Sequence, residues 1–241
     1  MIRRAYVRCV RAFASFVDAI GVGRWLSRRR SPAGRHLYSL LAIYDLERMV
    51  ALGLPWWTYG AIDEVDGLLA ARDGKARVFE FGAGASTLWL ADRAGEIHSV
   101  EHDLAFVEML EPRLKPLENV HLRAVAAVPI EADAADGAGG PSPVRSGRKG
   151  YEGQDFTDYV AAIDAVGGPF DLVIVDGRAR DACLRAAVPH LADDGVILFD
   201  NAGRDRYQPA IQASGLDVEV KSGWAPSLPY REATALLRKR S

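Results

Sequence analysis

VFEFGAGASTLWLADRAGEIHSVEHD, residues Val78 to Asp103, decides how the chain is read. The apolar run RVFEF before it predicts a strand, STLWLADR a helix and EIHSVE a second strand. Between the first strand and the helix lie Gly82, Ala83 and Gly84. Two glycines there permit a tight turn and let a ligand approach the backbone. Ser86 and Thr87 stand where the helix begins, and the free N–H groups of a helix start face such a ligand. A dinucleotide loop wants a third glycine at position 87 so that a pyrophosphate can lie on the helix end. Thr87 stands there instead, and Glu80 precedes the loop. An acid repels a pyrophosphate but suits a ligand bearing a cationic amine. Glu101, 21 residues after Glu80, ends the second strand, where an acid accepts hydrogen bonds from both ribose hydroxyls.

The alternation continues outward. LAFVEMLEPRL predicts a helix, NVHLRAV a strand, FTDYVAAIDAV a helix and FDLVIVD a strand buried on both faces. RARDACLRAAVPHL reads as a helix, GVILFD as another buried strand, and residues 206–213 as a further helix. LDVEV and ATALLRK close the chain as strands. This order implies an α/β fold with an open, mostly parallel sheet and helices on both faces. Ligands in such sheets bind beyond the carboxyl ends of the strands. Residues 128–155 show no period and read as a long structureless loop, of the kind used as a lid or insertion.

Other strand ends carry Asp176-Gly177-Arg178 and Asp200-Asn201. Acids at both adjacent ends point into one crevice. With an amide oxygen they suit Mg²⁺, or they orient a polar substrate, or they cap the following turns. His102 is read as packing along a ligand rather than as a chemical group. The third strand ends in RAVAAVP, without the acid that meets an adenine amine in many sites of this kind. Trp56, Trp57 and Tyr59 precede the first strand and either roof the site or pack the core.

At these residues the chain resembles class I S-adenosylmethionine-dependent methyltransferases. VFEFGAGAST resembles their E/D-x-G-x-G loop, SVEHD the acidic end of their second strand, and FDLVIVDGRARDACLRAAVPHLADDGVILFDN their fourth- and fifth-strand segment. It is similar in particular to a bacterial group of predicted methyltransferases with a FEFGSGxSTLW loop and VDGRxR. The resemblance spans roughly residues 55–239 and implies a Rossmann-like, doubly wound, seven-stranded sheet whose last strand is antiparallel. It implies S-adenosylmethionine as cofactor, with Glu80, Gly82, Ala83 and Gly84 around its methionine part. Ser86 and Thr87 then lie beside it, Glu101 on the ribose, His102 along it, and Asp176 near the transferred methyl as the candidate catalytic base. The Asp176, Asp200 and Asn201 set also resembles that of metal-dependent catechol-type O-methyltransferases, whose other residues match poorly. Mg²⁺ is therefore open but not favoured.

Composition sets the frame. Of 241 residues 49% are hydrophobic and 26% charged, at a net charge of −2, which reads as a globular protein. Eight arginines and one acid fall within residues 1–30, leaving the rest at about −9. That balance, with no basic and aromatic pattern, argues against nucleic acid as a partner. Residues 4–20 read as a basic amphipathic helix, to dock on the domain or a second subunit, or to touch an anionic membrane surface. Residues 28–34 read as a linker. The expected organisation is an N-terminal helical extension, 1–54, and a methyltransferase-like domain, 55–241. Two distant cysteines and no apolar run near 20 residues fit a cytoplasmic protein without a membrane span.

The expected function is methyl transfer to a small-molecule, sugar or lipid-linked acceptor, preferably at oxygen. A non-catalytic cofactor-fold scaffold and a nicotinamide-dependent oxidoreductase are the alternatives. Arg145, Arg148 and Lys149 in the long loop either face solvent or meet an acidic or phosphorylated substrate.

Overall fold

The computed structural model describes residues 32–43, 45–130 and 142–240. The amphipathic segment 4–20, Cys9 and the middle of the long loop lie outside them. The described strands are β1 (Arg77–Phe81), β2 (Glu96–Glu101), β3 (Val120–Ala124), β4 (Val128–Pro129), β5 (Gln154–Asp155), β6 (Phe170–Val175), β7 (Leu191–Phe199), β8 (Asp217–Trp224) and β9 (Arg231–Arg238). The helices are α1 (Pro32–Ser39), α2 (Leu46–Leu52), α3 (Tyr59–Ala71), α4 (Ala85–Ala91), α5 (Leu104–Leu114), α6 (Thr157–Val160), α7 (Ala162–Val166), α8 (Arg180–Ala187) and α9 (Gln208–Ala213).

Seven strands form one sheet in the order β3-β2-β1-β6-β7-β9-β8. The first five run parallel, and β9 enters antiparallel between β7 and β8. Strand order reverses between β1 and β6, so a crevice opens beyond their carboxyl ends. Alternate residues of each central strand feed opposite faces, as a pleat requires. Phe79, Phe81, Val173, Val175, Ile197 and Phe199 meet α6 to α9 on one face. Val78, Leu172, Ile174, Val196 and Leu198 meet α3 and α4 on the other. Both faces of β6 are therefore buried, which accounts for the unbroken apolar run FDLVIV. No described helix is long and apolar enough to cross a membrane.

Two local expectations change beyond residues 32–52, which fold as two helices. A 3-10 turn at Leu40–Ala42 separates them, Asp45 caps α2 by accepting from the Arg48 N–H at 3.2 Å, and Gly53 ends it in a left-handed conformation. The helix read over 156–166 is likewise two short pieces, α6 and α7. The described parts of the 128–155 loop are folded rather than structureless. β4 and β5 pair antiparallel. The Asp155 carboxylate accepts from Val144 N–H at 2.8 Å and from Thr157 N–H and Oγ1 at 2.9 and 2.6 Å. One side chain thus fastens the returning chain and takes the first N–H of α6, while Val144 and Tyr151 pack against the core.

The segment before the sheet sets one wall of the crevice. Leu46 and Met49 of α2 pack on Ala85, Leu110 and Leu114 of α4 and α5, which carries the following Trp56 to the end of β1. Met49 is fully buried. Replacing it with Ala is expected to cost about 2–5 kcal/mol and to lower the thermal midpoint by on the order of 10 °C, read by circular dichroism melting.

Candidate functional site

A cavity of 260 Å³ lies beyond the carboxyl ends of β1, β2 and β6. The β1 end contributes Glu80, Gly82, Ala83, Gly84 and Ser86, and the β2 end Glu101, His102 and Asp103. Asp176, Gly177 and Arg178 come from the β6 end, and Trp56 and Phe106 supply aromatic walls. All the sequence-predicted cofactor residues are therefore brought together there except Thr87, which is buried directly behind.

The backbone is what opens this space. Gly82 has φ +108°, and a Cβ there would stand 3.2 Å from the Gly177 N. A side chain at 82 is thus strained and blocked where the β1 and β6 ends cross. The Gly82 N–H is spent on the Val100 carbonyl at 2.8 Å. At Gly84 the nearest atoms to an added Cβ are the rings of Phe106 and Trp56, at 3.9 and 4.0 Å.

Glu80 is buried and accepts from three hydroxyls: Ser86 Oγ at 2.5 Å, Thr87 Oγ1 at 2.6 Å and Ser99 Oγ at 2.7 Å. Thr87 Oγ1 in turn accepts from the Gly84 N–H at 2.9 Å. Burial raises the Glu80 carboxyl to about 7, against the lowering effect of the three hydroxyls and with a further push from Asp176.

Glu101 is tied to the same loop. Its Oε2 accepts from Ala83 N–H at 3.1 Å, and its Oε1 from His102 and Asp103 N–H at 2.8 and 2.9 Å. The His102 Nδ1 lies 2.5 Å from Oε1, a close contact without the alignment of a well-formed hydrogen bond. Burial would raise this carboxyl, but the His102 contact and the backbone donors outweigh it and hold it below the usual range. Glu101 is therefore an ionised acceptor at neutral pH. His102 packs among Tyr151, Phe156 and Tyr159 and meets the Tyr151 hydroxyl through Nε2 at 3.1 Å.

The two strand-end acids do not share the crevice. Asp176 lines the cavity, whereas Asp200 is buried behind it and accepts from Thr234 Oγ1 at 3.0 Å. Between them stands a residue that sequence reading missed, the buried Arg180. It donates to Asp176 Oδ1 at 2.6 Å, to the Asp176 carbonyl at 2.5 Å and to Asn201 Oδ1 at 3.2 Å. It also donates to the Asp200 carbonyl and lies 3.6 Å from Asp200 Oδ2. A guanidinium thus occupies the space between the carboxylates where a divalent cation was considered. Among the described residues, the group of three His, Cys, Asp or Glu side chains within metal reach is Glu96, His98 and His121. It lies toward the amino ends of β2 and β3, away from the carboxyl ends that line the cavity, and Arg77 already pairs with Glu96 at 2.7 Å.

Of the three aromatics before the sheet, Trp56 reaches the cavity and donates through Nε1 to Ser227 Oγ at 2.8 Å. Trp57 is buried in the core edge-to-face with Trp89, with Tyr59 packed against the same cluster. The end of β3 places no acid in the cavity, as its sequence implied.

The profile of the methyltransferase domain family matches residues 79–202, just over half of the chain. The chain belongs to that family. It is an S-adenosylmethionine-dependent methyltransferase by that membership, which sets aside the oxidoreductase and scaffold alternatives. No curated protein matches its sequence. Among solved structures, cofactor-bound Rv0187 from MTB is 20% identical, covering 82% of this chain and 89% of that one at a TM-score of 0.50. A methyltransferase-like protein from Silicibacter pomeroyi DSS-3 is 22% identical over 73% and 86% of the two chains, at 0.47. An rRNA methylase from Streptococcus thermophilus is 12% identical over 75% and 96%, at 0.49. Likeness at such identity is a likeness of fold.

The methyltransferase loop carries its own pH signature. Raised from 4.5 to about 7 on folding, Glu80 keeps its proton in the folded chain where the unfolded chain has lost it. Its contribution to stability therefore falls as pH rises from about 4.5 to 7 and is level above, by at most about 3 kcal/mol. Glu80→Gln is expected to lose less stability than the parent between pH 5 and 8 in urea unfolding. A residual slope of the same sign remains from Asp200, which burial and then Asp176 also raise, to about 7.

Proposed function

We propose that this protein transfers the methyl group of S-adenosylmethionine to an oxygen of a small-molecule acceptor, with the donor bound in the cavity beyond β1, β2 and β6. The observation that carries this reading is the placement of two acids of different character, from β1 and β2, on either side of one glycine loop. Glu101, ionised and at the cavity wall, suits the ribose hydroxyls. Glu80, held close to neutral pH in its titration, suits the cationic amine of the methionine end. Gly82, Ala83 and Gly84 let the donor lie against backbone between them, with Ser86 and Thr87 behind and His102 alongside. Trp56 and Phe106 are apolar walls whose faces favour a cation such as a sulfonium.

The sulfonium supplies the driving force when bound, so the protein's task is to hold the acceptor in line and to keep water out. Asp176 is the acid at the cavity nearest the switch of strand order. Arg180 holds its Oδ1, which leaves Oδ2 to take the proton of an acceptor hydroxyl. Because Arg180 stands between Asp176 and Asp200, it takes the place a divalent cation would fill there, and we infer that transfer proceeds without Mg²⁺. The acidic balance of residues 31–241 supports a small acceptor over a nucleic acid.

Calorimetry with S-adenosylmethionine in buffers of differing ionisation enthalpy is expected to show proton release on binding near pH 7, as the amine draws Glu80 into its charged form. Glu101→Gln should weaken S-adenosylhomocysteine about tenfold or more. The absence of any binding of either compound to the parent protein would refute the reading. With an acceptor chosen from a panel of hydroxyl compounds, Asp176→Asn is expected to lower kcat by about 100-fold or more. Chelator should leave the parent rate unchanged, and restoration of a chelator-inhibited rate by Mg²⁺ would overturn the metal-free assignment.

A further inference from the structure

The far edge of the sheet sets two imidazoles opposite each other. β2 and β3 pair in parallel with His98 across from His121, and β3 is the edge strand. Side chains two apart on a strand share a face, so Glu96 stands on the face of His98, one step toward the amino end of β2. That face is the one covered by α7. Phe79 of β1 lies across from His98, and Ala162 and Val166 of α7 close over the same space. The His98 and His121 rings are stacked, with centroids 4.8 Å apart and planes 27° from parallel. His98 Nε2 meets Glu96 Oε1 at 2.8 Å. One nitrogen of each imidazole and one carboxylate oxygen of Glu96 all lie within 4.8 Å of one another.

The surroundings suit a cation. Glu96 supplies an anion, since its contacts with His98 and then with Arg77 hold the carboxyl below the usual range. Arg77 takes Oε2 at 2.7 Å, which leaves Oε1 on the side of the imidazoles. A cavity of 190 Å³ borders both rings, with Phe79, Val100, Ala162 and Val166 among its walls. It has room for a further ligand such as water. The basic side chain on its wall, Arg123, is exposed and stands two residues beyond His121, on the side away from Glu96. At about 3.3 Å per residue, its Cα is roughly 6.6 Å from that of His121. A hydrogen bond to Glu96 employs one imidazole, whereas a shared cation employs both.

We propose that Glu96, His98 and His121 bind a borderline transition cation such as Zn²⁺, at a site separate from the methyl-donor cavity. Two imidazoles and one carboxylate form a zinc donor set with one tetrahedral position left open, here toward the 190 Å³ cavity. Mg²⁺ and Ca²⁺ take oxygen ligands, whereas imidazole suits zinc, copper or nickel. Zinc bonds of about 2.0–2.1 Å in a tetrahedron put neighbouring donors roughly 3.3 Å apart. Glu96 and His98 already stand within that spacing, and His121, exposed on the edge strand, has room to turn toward them. A cation held there bridges β2 and β3 toward their amino ends. Asp176 follows the carboxyl end of the parallel strand β6, so the cation fastens the edge strand and takes no part in methyl transfer.

The test is calorimetric titration of zinc chloride into the full chain, free of any affinity tag, in a buffer that does not bind zinc. His98→Ala, His121→Ala and the control His190→Ala are titrated beside it, each checked for an unchanged unfolding midpoint without metal. Saturable binding of one equivalent to the parent is expected. It should weaken about tenfold or more in His98→Ala and His121→Ala and stay unchanged in His190→Ala. Should His98→Ala fail to fold, the exposed position His121 decides alone. No saturable binding to the parent, parental affinity in folded His121→Ala, equal weakening in His190→Ala, or tighter binding of Mg²⁺ than of Zn²⁺ would overturn the assignment. Thermal melting gives a second readout. Saturating zinc is expected to raise the midpoint of the parent and not that of His121→Ala, and an equal rise in both would also overturn it.

Discussion

One buried carboxylate holds the crevice in shape. Glu80 leaves β1 and is met by Ser86 and Thr87 from α4 and by Ser99 from β2. Three separate elements are thereby fixed around one carboxyl group, and the glycines between them stay open to a ligand. The missing third glycine of the loop acquires its reason here. Thr87 Oγ1 gives its hydrogen to Glu80 and takes one from the Gly84 N–H, so it relays between the carboxylate and the turn. A glycine at 87 would leave a buried acceptor and a buried donor each short of a partner, a penalty of about 1–3 kcal/mol apiece. The loop is therefore intact for a ligand that needs no pyrophosphate seat.

A second electrostatic division follows from backbone geometry. Arg178 and Arg180 lie two residues apart yet face opposite surroundings. Ala179 between them has φ +49°, a left-handed conformation that costs a non-glycine residue about 1–2 kcal/mol. The turn sends Arg178 to the cavity and Arg180 into the interior, where two carboxylates and four carbonyl-type oxygens satisfy it. The strain at Ala179 is offset because a buried guanidinium in that setting is paired on every side, whereas burying Asp176 and Asp200 beside each other without it would leave like charges unscreened. The same turn is what leaves Arg178 over the Tyr151 ring at the cavity, away from the Arg180 ion pairs.

The sheet was legible because its signals are local. Pleat alternation, buried apolar runs and turn residues each act over fewer than ten positions, and β1, β2, α5 and β6 stand within a residue of where the pattern put them. The grouping of Glu80, the glycine loop and Glu101 at one cavity was legible for the same reason, since Glu80 to Glu101 is one continuous stretch. What escaped depends on distant partners. Arg180 looked like one more polar residue of an amphipathic helix, and only its meeting with Asp200 and Asn201 across two strands reveals a buried ion pair. Asp155 looked like a loop residue, and its hold on Val144 and Thr157 is invisible until the chain returns. Trp56 and Trp57 are adjacent and chemically identical, yet one reaches the cavity and the other the core, a difference set by where α2 docks.

This contrast has a physical consequence for how such a site is built. The donor side needs one strand, one turn and one helix, with hydrogen bonds that close over about twenty residues. The opposite wall draws Arg178 from the β6 end and Trp56 from the segment behind α2. Tyr151, from the returning loop, lies under the Arg178 guanidinium and meets His102 through its hydroxyl at 3.1 Å. A change at Trp56 or Arg178 can alter the shape or charge of that wall without breaking a bond of the Glu80 relay, whereas Tyr151 touches both walls at once.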